Sequence, residues 1–160
     1  MFRILTVCTG NVCRSPMAAV YLEHRLKSVE FEYEVTSCGI MALTGQPATD
    51  MARRIVAANG LNLGHHRARM ITPTLVHEAD VILVMEPWHK EWIVIRIPEV
   101  RDRIIELADY LDDPAWDAIP DPYGGEPEDY AFTWHLIRRA VDRWLEARFG
   151  IADNNVIIRQ

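Results

Sequence analysis

The segment Val7-Cys8-Thr9-Gly10-Asn11-Val12-Cys13-Arg14-Ser15-Pro16 sets a cysteine and an arginine either side of five residues, with a helix-compatible proline close behind. A loop of that size can curl until its backbone amides point inward and form an anion nest, closed by the positive end of the following helix. Gly10 and Asn11 are residue types that tolerate left-handed backbone, and the Asn11 amide can tie the loop to itself. Arg14 offers a planar fork of donors that matches two phosphoryl oxygens, in the ground state and in a trigonal bipyramidal transition state. Cys8, at the base of the loop, meets the amides, the helix dipole and Arg14 together, a setting that activates a sulfur nucleophile. Ser15 can donate its hydroxyl to that sulfur, first as nucleophile and later as leaving group. Thr9, Val12 and Cys13 complete a phosphate-binding loop with a nucleophile below phosphorus and donors around it.

Such a loop needs a strand before it and a helix after it. Phe2 to Val7 is a short β-favouring run, and Pro16 suits the first turn of a helix that continues to about Val29, with Ala19, Tyr21, Leu22 and Leu26 near one side. A second strand is expected at Glu32 to Cys38, and a helix from about Thr49 to Ala58, stopped by Asn59-Gly60. The run Ala79 to Met85 is continuously apolar after Asp80, as in a strand covered on both faces. Pro87 opens another helix, Ile104 to Leu107 is a fourth strand, and Tyr130 to Arg148 is the strongest helix, with Phe132, Leu136, Ile137, Val141, Trp144 and Leu145 as its apolar stripe. Strand and helix alternate throughout, which predicts an α/β fold with an open parallel sheet whose ligands bind at the carboxyl ends of the strands. The chemical loop falls at such an end.

The chain has 160 residues, 49% apolar and 25% charged, enough for one domain with a hydrophobic core. Its 17 basic and 23 acidic residues leave a net charge of -6, which argues against nucleic acid as a partner. Ile104 to Ile137 carries nine acids and no Lys or Arg, and reads as a solvated face apart from Asp121. No apolar stretch approaches a membrane span, the amino terminus lacks a signal-peptide layout, and three cysteines suit a reducing compartment; a cytoplasmic protein with no membrane insertion is expected.

The Cys-x5-Arg-Ser loop at the amino terminus, with Asp121-Pro122-Tyr123 far downstream, resembles the low molecular weight protein-tyrosine phosphatases. Further similarity lies in Ser37 with Gly39, in His66 ahead of Ala68-Arg69, in Met85-Glu86 and in the long final helix, so the resemblance spans residues 1 to about 149. The run Gly39 to Gln46 and the Asp-Pro-Tyr-Gly sequence are closest to the bacterial branch associated with exopolysaccharide export. The resemblance implies a three-layer fold with four parallel strands in the order 2-1-3-4, helices on both faces and the phosphate loop after the first strand. It implies one domain over 1–150 and a C-terminal tail over 151–160.

It also implies hydrolysis of protein phosphotyrosine in two steps, with Cys8 as nucleophile, Arg14 as phosphoryl ligand, and Asp121 as acid and then base. Asn11, Ser37 and His66 are implied as a network supporting the loop, with Tyr123 as one cleft wall and Met41 or Leu43 as the other. Val12 keeps the cleft apolar, where phosphoarginine-directed relatives carry Thr. Cys13 is left between a protective disulfide with Cys8 and ordinary packing, and Cys38 is expected to be silent.

No metal or organic cofactor is implied. The expected partner is a phosphotyrosine protein, with an autophosphorylating bacterial tyrosine kinase as the candidate, and the expected assembly is a monomer or weak dimer. Two other readings can be weighed. An arsenate reductase needs cysteines beyond Cys38, and none follow; an inactive binding module would lack Cys8 or Asp121, and both are present.

Overall fold

The computed structural model describes residues 1–153. Four parallel strands, β1 (Phe2–Cys8), β2 (Tyr33–Gly39), β3 (Val81–Val84) and β4 (Ile104–Glu106), form one sheet in the order β2-β1-β3-β4. Between them run α1 (Arg14–Leu26), α2 (Asp50–Ala58), α3 (Pro73–Glu78) and α4 (Pro87–Arg96), and α5 (Pro127–Phe149) closes the fold. Two short 3-10 helices, Pro98–Arg103 and Leu107–Tyr110, flank β4.

Side-chain alternation along the strands divides the core in two. Ile4, Cys8, Val81 and Leu83 face a cluster built with α1, α2 and α5, while Leu5, Val7, Ile82 and Val84 face a cluster shared with Val76 of α3 and Ile93 of α4. The central strands are therefore apolar on both sides, as the run through Val81 to Val84 suggested.

Element boundaries moved where capping chemistry decided them. α1 begins at Arg14, with Pro16 in its first turn, so the helix end reaches into the loop itself. α5 begins at Pro127, ahead of the expected Tyr130, because Asp129 Oδ2 accepts from Glu126 N at 2.8 Å and secures the first turn. α5 ends at Phe149 and is capped by Gly150, whose φ of 68° closes the helix with left-handed backbone. α3 was not read from the sequence; six residues are too short for periodicity, although Thr72, whose hydroxyl caps Leu75 N at 3.2 Å, and Pro73 were the available signal.

Phe132 departs from the buried stripe expected of α5. It is 43% exposed and rests against Trp116, with ring centroids 5.3 Å apart. The rest of the stripe, Leu136, Ile137, Val141, Trp144 and Leu145, is buried, and Asp142 adds a polar clamp: it accepts from Tyr21 Oη at 2.7 Å and pairs with Arg25 at 2.6 Å, both on α1. That clamp fixes the helix whose amino end carries Arg14 and Ser15. The apolar run Val156-Ile157-Ile158 of the tail lies outside the described residues.

Candidate active site

Cys8 is the last residue of β1, paired in register with Gly39 of β2. The chain then turns through Asn11, which is fully buried with a φ of 59°, a left-handed conformation that asparagine tolerates better than most residues. Its side chain repays the turn: Nδ2 donates to Ser15 Oγ at 2.8 Å and to Ser37 Oγ at 3.0 Å, and Oδ1 accepts from Arg69 N at 2.9 Å. The Asn11 amide lies 3.3 Å from Cys8 Sγ, and Ser15 Oγ lies 2.9 Å from it on the other side. Because Ser15 Oγ already accepts from Asn11, its own proton is available to Cys8 Sγ or to the Cys38 carbonyl at 3.3 Å.

His66 donates from Nε2 to the Asn11 carbonyl at 2.7 Å, so it holds the loop backbone rather than Ser37. Burial lowers the His66 pKa below its ordinary value and keeps the ring neutral for that role. The close packing has a steric condition at Gly39. A Cβ there would stand 2.6 Å from the Thr9 carbonyl oxygen and 3.0 Å from Asn11 N.

Arg14 is 2% exposed. Its Nη1 donates to Glu86 Oε2 at 2.9 Å and to the Ile119 carbonyl at 2.8 Å, which leaves Nη2 near Thr9 Oγ1 at 3.4 Å and Asp121 Oδ2 at 3.5 Å. The segment carrying Asp121 is itself held: Ile119 N donates to the Met85 carbonyl at 2.8 Å, and Thr133 Oγ1 to the Pro120 carbonyl at 3.1 Å. Asp121 Oδ1 accepts from Tyr123 N at 3.1 Å, which turns the other carboxylate oxygen toward Arg14.

These groups open on one cleft of about 210 Å³, with Cys8, Thr9, Gly10, Val12, Cys13 and Arg14 at its floor and Met41, Leu43, Asp121 and Tyr123 around it. Both Met41 and Leu43 line it, because Met41 N and Leu43 N bond to the carbonyls of Thr9 and Gly10 and draw their segment along the loop. Tyr123 is 60% exposed, a rim residue with its face open to solvent.

All three cysteines are free. Cys13 Sγ sits 3.4 Å from Tyr130 Oη and 3.5 Å from Thr49 Oγ1, and burial pushes its pKa up. Burial pushes the Cys38 thiol up to about 12. Among the described residues, no three His, Cys, Asp or Glu side chains come together as a metal-binding group.

Glu86 and Arg69 figured in the sequence only as points of resemblance, without their contacts to Arg14 and, through the Arg69 backbone, to Asn11; His89, whose Nε2 lies 3.0 Å from Thr9 Oγ1, was not singled out at all. Glu86 and His89 belong to the capped start of α4, where Glu86-Pro87 was the local signal. Nothing local announces their partners 72 and 80 residues away.

A parallel sheet ordered 2-1-3-4, with this loop at the carboxyl end of β1, defines a phosphatase of the small α/β class. The chain belongs to the low molecular weight phosphotyrosine protein phosphatase family, whose model matches residues 3–151. It is 38% identical over 142 residues to the probable low molecular weight protein-tyrosine-phosphatase EpsP of Ralstonia nicotianae, covering 89% of this chain and 92% of that one. The crystal structure of the tyrosine phosphatase Wzb from Escherichia coli K30 with sulphate superposes with a TM-score of 0.82 at 36% identity, over 92% of this chain and 99% of that one. A protein-arginine-phosphatase of Geobacillus stearothermophilus is 36% identical over 146 residues, 91% of this chain and 95% of that one. No helix among the described residues is long and apolar enough to cross a membrane.

Proposed function

We propose that this phosphatase hydrolyses protein phosphotyrosine through a phosphocysteine intermediate. Cys8 Sγ attacks phosphorus in line, so that a P–S bond forms as the P–O bond to the phenol breaks, and Asp121 delivers a proton to the departing oxygen. Asp121, now a carboxylate, takes a proton from water as that water attacks phosphorus, and the P–S bond breaks to release inorganic phosphate. Arg14 and the amides of Thr9 through Cys13 hold the phosphoryl oxygens, and their rigid placement favours the equatorial transition-state geometry. Ser15 stabilises sulfur in both steps, while Ser37 and His66 hold Asn11 and thereby the loop.

The observation that carries this reading is the convergence of Cys8, Arg14 and Asp121 on a single cleft, with Arg14 Nη2 within 3.5 Å of Asp121 Oδ2. The apolar side chains of Val12, Met41 and Leu43 and the ring of Tyr123 suit a flat aromatic leaving group. Val12 is the position that separates this from phosphoarginine: its methyl groups offer no hydrogen bond to a guanidinium.

The physiological substrate we infer is the tyrosine-rich tail of an autophosphorylating bacterial tyrosine kinase in exopolysaccharide production or export. Support for it is the similarity of the Gly39 to Gln46 run and of Asp121-Pro122-Tyr123-Gly124 to that branch. Phosphate release from matched phosphotyrosine, phosphoserine and phosphoarginine peptides tests the substrate class. Preferred release from phosphotyrosine is expected; preference for phosphoarginine would overturn it.

A further inference from the structure

His89 lies in the first turn of α4, fully buried, with the Trp88 ring centroid 4.4 Å from its own. Its Nδ1 accepts from Glu86 N at 3.1 Å, which places the ring proton on Nε2, and Nε2 points at Thr9 Oγ1 3.0 Å away. The charged groups around the ring are Arg14, Asp121 and the Glu86 carboxylate, whose Oε2 is 3.7 Å from Nε2. Burial first and Arg14 second lower the His89 pKa to about 3, outweighing Asp121, so the ring stays neutral at neutral pH.

Thr9 Oγ1 thus accepts from His89 and, at 3.4 Å, from Arg14 Nη2. A hydroxyl oxygen has two lone pairs and one proton. With both lone pairs engaged, the Thr9 proton is left to point away from both donors. Thr9 lines the same cleft as Cys8, Arg14 and Asp121, where a bound phosphoryl group presents only acceptors.

We propose that the Thr9 hydroxyl is a donor to the reacting phosphoryl group, and that His89 is a positioning residue that fixes its polarity. The inference rests on the phosphatase reading above. It adds a side-chain donor to the loop amides and Arg14, and gives a buried histidine 80 residues away a function at the reacting atoms. A donor aimed at a phosphoryl oxygen gains strength as charge develops there, so its removal falls mainly on turnover.

The test uses Thr9→Val, which keeps the shape without the hydroxyl, with Thr9→Ser as its control. His89→Phe removes the Nε2 donor, and His89→Gln returns an amide donor at about the same reach. Steady-state hydrolysis of p-nitrophenyl phosphate and inhibition by inorganic phosphate are measured for each. Thr9→Val and His89→Phe should each lower kcat roughly ten- to hundredfold, the worth of one hydrogen bond to a charged group, with a smaller rise in KM and several-fold weaker phosphate inhibition. Thr9→Ser, which returns the hydroxyl, should recover most of the loss seen in Thr9→Val, and His89→Gln most of that seen in His89→Phe. The double variant Thr9→Val with His89→Phe should be no slower than the slower single one, because His89 acts through Thr9.

Unchanged kcat and phosphate inhibition in Thr9→Val would overturn the donor assignment, and fully multiplicative losses in the double variant would overturn the positioning role. Calorimetric titration with inorganic phosphate separates the two levels of the account. If the wild type binds phosphate, releases none from substrate, and Thr9→Val binds it more weakly, the donor stands and the phosphatase reading falls.

Discussion

Arg14 Nη1 and Glu86 Oε2 meet at 2.9 Å behind the phosphate loop, joining the first turn of α1 to the residue that caps α4. The guanidinium is almost wholly removed from water, so its charge depends on that carboxylate and on the Ile119 carbonyl. The pair also decides which edge of the fork remains for the cleft. With Nη1 engaged from behind, Nη2 is the nitrogen turned toward Thr9 and Asp121.

Replacing Glu86 should therefore affect both stability and turnover. Glu86→Ala is expected to lower the unfolding free energy by about 1–3 kcal/mol, the range for losing a partner of a buried charged donor. It should also cut turnover at least tenfold through a misaimed Arg14. Glu86→Gln, which keeps an acceptor oxygen, should lose less of each. Urea unfolding and steady-state kinetics on the two variants check this, and full turnover in Glu86→Ala would show that Arg14 is held without it.

The loop shape makes a second pair of expectations. Gly39→Ala forces a Cβ against the Thr9 carbonyl and Asn11 N, so it should lower stability by about 1–3 kcal/mol and reduce turnover. Asn11→Gly keeps access to the φ of 59° but loses the bonds to Ser15, Ser37 and Arg69, whereas Asn11→Ala loses the bonds and adds backbone strain. Turnover should fall in both, and unfolding should show Asn11→Ala as the less stable by about 1 kcal/mol.

His89 predicts a pH dependence of stability. Unfolded, its ring takes a proton near pH 6.5; folded, it resists until about 3. The unfolded state therefore binds the extra proton below 6.5, and stability that is complete above that pH declines as the pH falls. One proton corresponds to about 1.4 kcal/mol per pH unit once the unfolded ring is fully charged. His66, also lowered by burial, acts with the same sign. Urea midpoints at pH 7, 6 and 5, where most carboxylates stay ionised, should fall less steeply in His89→Gln than in wild type; parallel slopes would mean that His89 protonates freely when folded.

Much of the site was legible because its chemistry is local. Cys8, Asn11, Arg14 and Ser15 lie within eight residues, and their types define an oxyanion nest without any knowledge of the sheet. The sheet followed from alternation of strands and helices, with β3 marked by its continuous apolar run. What could not be read were partners brought together by the crossovers, such as Glu86 with Arg14 and His89 with Thr9, because sequence spacing carries no register across parallel strands. Phe132 shows the complementary limit. Its spacing matched the buried stripe, yet at the start of α5 the core face is carried by Tyr130, Thr133, Trp134 and Ile137, which leaves Phe132 off that face with Trp116 as its neighbour.

Asp121 should be separable from the other groups by the leaving group. Asp121→Asn keeps the shape and the bond from Tyr123 N but cannot supply a proton. Turnover of phenyl phosphates whose phenols have pKa about 10 should drop by about 10²- to 10⁴-fold, and the loss should shrink as the phenol becomes more acidic. An equal loss across the series would remove Asp121 from the acid role.

The covalent intermediate on Cys8 is the claim on which the rest depends. Rapid acid quenching during turnover of a phosphotyrosine peptide, followed by peptide mapping in a mass spectrometer, reads it directly. Wild type is expected to show one phosphoryl group on the peptide containing Cys8, and Cys8→Ser neither that adduct nor turnover. Phosphate release by Cys8→Ser at the wild-type rate, with no phosphorylated Cys8 peptide from wild type, would contradict it.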